Sequence, residues 1–176
     1  AKVAAKHPEV RYLVLGQTHP VVKRENGEAY REKLVALTEA LGVKDKVIFV
    51  DKYLYKPDIL HYLTLTDIYM TPYLGRDQAV SGTLAYAIGC GRVVVSTPYL
   101  YAREMLDEGR GLLADFEDAD ALAACLNQII ENPEERQKME DNTLRLGKTM
   151  TWPRVADQYR RIFEKVAAGL MREKVS

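Results

Sequence analysis

Cysteine, tryptophan, phenylalanine and histidine are all scarce in this chain. Its two cysteines, Cys90 and Cys125, lie inside or at the end of predicted helices among apolar neighbours. That excludes a disulfide framework and reads as two buried thiols in a reducing compartment. Three histidines, with no pair of His, Cys or carboxylates at ligand spacing, argue against a bound metal. An excess of either charge is also missing, because 25 Lys and Arg balance 25 Asp and Glu. A nucleic-acid partner, which calls for a basic face or stripe, is therefore not expected. No apolar run approaches the roughly 18 to 20 residues that cross a membrane, and no secretory signal is visible, so a cytoplasmic location is expected. The chain has neither a G-x-G-x-x-G spacing nor a P-loop, which weakens a nicotinamide or ATPase reading.

Tyrosine is plentiful instead, with 11 residues against one Trp and three Phe. Tyr53, Tyr73, Tyr86, Tyr99 and Tyr101 fall on or beside loops that follow predicted strands. An aromatic ring with a hydroxyl suits a site that stacks on a base or sugar and hydrogen-bonds it, and it serves equally well to cap a core with its hydroxyl in water. At 176 residues the sequence suits one domain, residues 1–176, with a helical extension. Ala1 to Pro8 reads as the end of a helix whose beginning is missing, so the chain is expected to be part of a larger protein.

Short apolar runs rich in β-branched residues alternate with segments of helical period. Val10 to Leu15, Lys46 to Val50, Asp67 to Thr71, Arg92 to Ser96 and Gly111 to Ala114 are the predicted strands. Their near-continuous apolar character predicts burial on both faces of a parallel sheet. Tyr30, Leu34, Leu37 and Leu41 form a helical stripe that stops at Gly42, and Leu122 to Ile130 form a second that ends before Asn132 and Pro133. A third, Val155 to Val166, begins after Thr151, Trp152 and Pro153. Val21 to Gly27 and Gly75 to Asp77 read as loops, and everything after Ala114 reads as helix. The alternation predicts an α/β fold: a doubly wound, Rossmann-like parallel sheet flanked by helices, with a helical C-terminal segment.

In such sheets ligands lie beyond the C-terminal ends of the strands. Four segments meet that description: Gly16 to Pro20, Asp51 to Leu54, Pro72 to Thr83, and Thr97 to Tyr101. The third is the most informative, because its helix opens on Ser81, Gly82 and Thr83. A helix start leaves N–H groups unpaired at the positive end of the helix dipole, which is where a phosphate binds. An ordinary N-cap, worth about 1 kcal/mol, also accounts for the hydroxyl residues. Gly82 would let a phosphate reach the amides, and Arg76 would add a charge-assisted contact. His19, a loop histidine beside a proline, is expected to be a structural hydrogen-bonder ahead of an acid or base.

In order and spacing these segments resemble the C-terminal, donor-binding domain of the GT-B glycosyltransferases, in particular the group 1 retaining family. Val10 to Gly16 matches an apolar strand ending in V-G, Val47 to Val50 matches V-x-F-x-G, and LHYLTLTDIYMTP from Leu60 matches L-x-x-Y-x-x-A-D-V-F-V-x-P. Ala87 to Ser96 matches A-M-A-C-G-x-P-V-V-A-T. Glu104 with DEGRGLL from Asp107 matches P-E-x-x-x-D-G-x-x-G-L-L, and Thr151 to Tyr159 matches S-W-x-x-V-A-x-x-Y. The resemblance covers nearly the whole chain and implies one half of a GT-B fold.

The resemblance also implies a function: transfer of a hexose from a nucleotide-diphosphate sugar, such as a UDP- or GDP-sugar, to an acceptor glycan or other acceptor held by an N-terminal domain. No further cofactor is implied, and retention at the anomeric carbon would be inherited. The family places two glutamates around the helix start, one on the donor sugar and one on the ribose; those positions here are Gln78 and Tyr86, with Asp77 beside the first. Its diphosphate-binding Arg and Lys precede the first residue of this sequence. The expected roles are Ser81, Gly82 and Thr83 at the diphosphate, Gln78 at the sugar, Tyr86 at the ribose, Lys52 and Tyr53 at the base, and Gly16 with Thr18 at the back wall. This domain alone would be inactive. A module that keeps the fold without turnover, and a GT-B-like sugar-nucleotide epimerase, share the same features.

Overall fold

Runs of four or so aliphatic and β-branched residues are too short for a helix and too apolar for a loop, and in the computed structural model, which describes residues 1–173 with side chains through residue 169, they form five strands. These are β1 (Tyr12–Leu15), β2 (Val47–Val50), β3 (Ile68–Thr71), β4 (Val93–Ser96) and β5 (Gly111–Leu113). The helices between and after them are α1 (Lys2–Lys6), α2 (Pro20–Asn26), α3 (Ala29–Ala40), α4 (Lys56–Leu65), α5 (Gly82–Gly89), α6 (Leu100–Leu106), α7 (Ala119–Glu131), α8 (Pro133–Gly147) and α9 (Trp152–Glu173). The alternation is the predicted one, and all paired strands are parallel.

The sheet itself differs from expectation. The order is β1-β2 in one sheet and β3-β4-β5 in another. A ladder forms only where strands lie about 4.8 Å apart, and among the described residues none joins β1 to β3. Each of those strands therefore keeps one edge unpaired.

Burial follows this division. Val93, Val94, Val95 and Ser96 of β4 are wholly buried, and the two-residue period sends them to opposite faces. Val94 packs with Leu84, Ala87, Ile88 and Leu106 from α5 and α6. Val93 and Val95 pack with Ile129 of α7 and Met139 of α8. By contrast, Tyr12, Leu13, Leu15 and Ile48 of β1 and β2 are all exposed, as are Tyr30 and Leu37 of α3 and Leu41 at its C-cap. The expectation of strands buried on both faces thus holds for β4 and fails for β1 and β2.

Two local readings are corrected. Val21 to Gly27 is not a loop, since α2 fills most of it: Pro20 sits in the first turn, the His19 side chain accepts a hydrogen bond from Val21 N, and Gly27 caps the end at φ +63°. The helix buries none of its residues, so it shows no apolar stripe. Cys90 and Cys125 are free and only half-buried rather than buried, yet burial still pushes both thiols above their ordinary range.

The close approach of α8 to α5 depends on a missing side chain. A Cβ at Gly147 would lie 2.6 Å from the Ile88 carbonyl oxygen. At Gly111 a Cβ would lie 2.4 Å from Val94 O, so β5 pairs with β4 only as glycine.

Candidate functional site

The C-terminal ends of β3 and β4 are tied together by a buried set of hydroxyls. Thr71 Oγ1 donates to Ser96 Oγ at 2.9 Å, and Ser96 Oγ lies 3.0 Å from the carbonyl oxygens of Thr71 and Thr97. Thr97 Oγ1 donates to Tyr73 O at 2.5 Å. Each is almost fully buried, where an unpaired hydroxyl would be costly and a paired one fixes geometry. They hold the Pro72 to Val80 loop at its base. Tyr99, which the sequence offered as a site tyrosine, belongs to this layer: it is wholly buried, stacks 5.4 Å from the Tyr73 ring and lies 3.4 Å from Thr71 Oγ1.

Above this base stands the start of α5. Ser81 is its N-cap and accepts from Leu84 N at 3.3 Å. The N–H groups of Gly82 and Thr83, one turn ahead of any helical acceptor, have no partner among the described residues. A Cβ at Gly82 would meet nothing within 4 Å and the residue is exposed, so packing does not demand glycine there. The Thr83 hydroxyl lies 3.5 Å from both Ser81 Oγ and Tyr73 Oη. The nearby Tyr69 phenol is driven well above its ordinary range by burial.

The remaining predicted residues are placed less uniformly. Gln78 Nε2 donates to Val80 O at 3.1 Å, and the Gln78 carbonyl accepts from Tyr101 N at 3.1 Å. It shapes the loop that leads into α5. The Arg76 guanidinium lies over the Phe116 ring at 4.2 Å instead of over the helix start, while its carbonyl accepts from Leu100 N. Tyr86, one turn beyond Gly82, packs half-buried on the core with Lys56 Nζ 5.4 Å from its ring centroid. Lys56 opens α4 directly after β2, so this contact links the β2 exit to α5.

At the exits of β1 and β2, Lys52 is exposed and its N–H donates to Val50 O. Tyr53 is 63% exposed and meets the 70% exposed Tyr55 edge-on at 5.1 Å. Two neighbouring aromatics left in water form a surface suited to a planar ligand. Tyr55 escaped the sequence reading because it sits in no strand and on no periodic stripe. Gly16 adopts φ +112°, a conformation that favours glycine, and its N–H donates to Val50 O at 3.1 Å. Thr18 Oγ1 donates to Glu28 Oε2 at 2.5 Å. Glu28 and Arg31, also missed, come from the start of α3.

Elsewhere, His19 is the cap of α2, in keeping with its structural reading. His7 Nε2 lies 3.3 Å from Glu131. A concavity of about 560 Å³ between α1 and α7 is lined by Lys2, Lys6, Asp120 and Glu131 and includes none of the strand-end residues. Among the described residues no three His, Cys, Asp or Glu gather as a metal site, and no helix is long and apolar enough to cross a membrane.

Comparison with known proteins bears on the family and the fold. A phosphatidyl-myo-inositol mannosyltransferase of Mycolicibacterium smegmatis is 26% identical over 99% of this chain. HepE of Anabaena, solved in complex with UDP, superposes with a TM-score of 0.75 over 92% of the chain at 18% identity. The C-terminal domain of the group 1 glycosyl transferase LpcC from Francisella tularensis superposes with a TM-score of 0.71 at 18% identity, over 85% of this chain and 75% of that one. The chain spans 42% of the length of the first two. The family profile of glycosyl transferases group 1 matches residues 1–145. On that match this chain belongs to the group 1 glycosyl transferases, with the parallel α/β fold of their C-terminal domain.

Proposed function

We propose that this chain binds a nucleotide-diphosphate sugar and forms the donor side of an enzyme that transfers its hexose to an acceptor glycan or other acceptor. The observation that carries the reading is the start of α5, where the N–H groups of the exposed Gly82 and of Thr83 have no partner among the described residues beside a Ser81 cap. The diphosphate sits there, favoured by the helix dipole. The Tyr53 and Tyr55 pair and Lys52 line the base, Tyr86 reaches the ribose, and Gln78 reaches the sugar from the loop it shapes. Gly16 and Thr18 form the back wall.

Support for a nucleotide sugar comes from HepE, which was also solved with UDP-glucose. Support for a hexose comes from the mannosyltransferase relative. The acceptor belongs to a further domain, since transfer needs both substrates held in one geometry. The unpaired edges of β1 and β3 are where a further strand of the same protein pairs. The test is calorimetric titration with UDP, GDP and ADP. We expect saturable binding of UDP or GDP; a folded sample that binds none of the three removes this function.

One observation favours a second reading. Gln78 replaces the sugar-side carboxylate and spends its amide on Val80 O, which suits a module that binds a donor without turnover. A labelled sugar nucleotide supplied to the protein separates the readings: a labelled acceptor product means transfer, an epimerised donor means epimerisation, and unchanged donor means binding alone.

A further inference from the structure

We propose that Glu28 and Arg31, at the start of α3, are positioning residues that set the nucleotide pocket by clamping the exits of β1 and β2 together. This rests on the nucleotide-binding reading above. Arg31 Nη2 donates to Gly16 O at 2.8 Å and lies 3.2 Å from Asp51 Oδ1, so a single guanidinium holds the last backbone oxygen of one exit and the first carboxylate of the next. Its Nε lies 3.5 Å from Glu28 Oε2, the same oxygen that accepts from Thr18 Oγ1. Lys23 at 2.8 Å holds the other Glu28 oxygen. Gly16, Thr18 and Asp51, beside Lys52 and Tyr53, thus answer to two side chains at the start of α3, which lies between the two exits in sequence.

Arg31 is unlike Arg110, a second arginine that clasps the fold. Arg110 is buried and spends every nitrogen: Nε on Met105 O, Nη1 on Glu108 and Nη2 on Glu104 O. Arg31 has a side chain only 16% exposed, yet its Nε and Nη1 make no hydrogen bond within the described residues. With Nε facing Glu28, Nη1 is the buried donor left over; a purely structural clasp leaves no reason for it, whereas a group at the floor of a binding site has one. The guanidinium presents Nη2 to Gly16 O and Asp51 while Nε faces Glu28, and lysine, a point charge, cannot hold both sides in fixed geometry.

The experiment compares the whole chain with its Arg31→Lys, Arg31→Ala and Arg110→Lys variants, measuring thermal midpoint and affinity for UDP and GDP on the same samples. In Arg31→Lys we expect the midpoint to stay at the wild-type value while affinity for the better nucleotide falls about tenfold. Arg31→Ala lowers both, and Arg110→Lys lowers the midpoint and leaves affinity unchanged. Arg31→Lys binding as tightly as wild type overturns the clamp and leaves nucleotide binding standing. A fall in affinity of the same size in Arg110→Lys also overturns it, because the effect is then general softening. A wild-type chain that binds neither UDP nor GDP removes the underlying function as well.

Discussion

At the scale of single residues, the helix start separates stability from function. Gly82→Glu places a carboxylate at the first position of α5, where the dipole favours it by about 0.3–1 kcal/mol and no protein atom obstructs it. We expect an unchanged or slightly raised thermal midpoint together with loss of at least tenfold in UDP or GDP affinity, read by calorimetry. Ser81→Ala behaves differently, because the Ser81 oxygen satisfies Leu84 N; it costs about 1 kcal/mol in chemical denaturation. The cap itself was legible, since small and hydroxyl residues before an apolar run announce a helix start. The commitments of the other polar groups were not. Nothing local to Arg76 points to Phe116, and nothing near Thr71 reveals Ser96, because those pairings are made across the fold.

Elements were legible where burial gives a sequence its period. All five strands lie within the predicted runs, and α7 ends before Pro133 as its stripe does. The exception, α2, is capped at both ends but buries nothing, so only His19, Pro20 and Gly27 could announce it. Packing between elements adds a constraint that propensity misreads. Alanine favours a helix over glycine by about 1 kcal/mol, but at Gly147 its Cβ would meet Ile88 O at 2.6 Å, an overlap that forces α8 away from α5 and costs about 1–3 kcal/mol. We expect Gly147→Ala to be destabilising in urea unfolding; a stabilised variant would show that α8 moves freely.

Over the whole molecule, stability is concentrated in the β3-β4-β5 layer, and two predictions follow from that distribution. In α9, Trp152, Tyr159, Ile162, Phe163 and Val166 are more exposed than buried, so the helix adds little to this core. A chain ending at Thr151 should keep its thermal midpoint within a few degrees in calorimetry. The second concerns pH at the β1 and β2 exits. The Lys23 hydrogen bond, then Thr18, hold the Glu28 carboxyl below its ordinary range, and Glu28 holds Lys23 above its own. A lowered acid pKa means that the contribution is complete above the unfolded value of about 4.3 and is lost as pH falls through the folded one. For Lys23, raised, the contribution is complete below about 10.4 and is lost as pH climbs through the higher folded value. We therefore expect the amide resonances of the first turn of α3 to hold steady between those limits and to shift at an acid midpoint below that of a free glutamate.

Hydrophobic period, turn chemistry and caps by themselves determined the α/β alternation, the parallel class of the sheets and the helix start at Ser81, because each depends on residues within a few positions of one another. Only the tertiary structure decided that β1 and β2 form a sheet apart from β3-β4-β5, that Tyr99 is core while Tyr53 is surface, and that Glu28 and Arg31 reach Thr18, Gly16 and Asp51. Those outcomes turn on which segments meet across the fold and how much water they exclude, and neither quantity is written in local sequence.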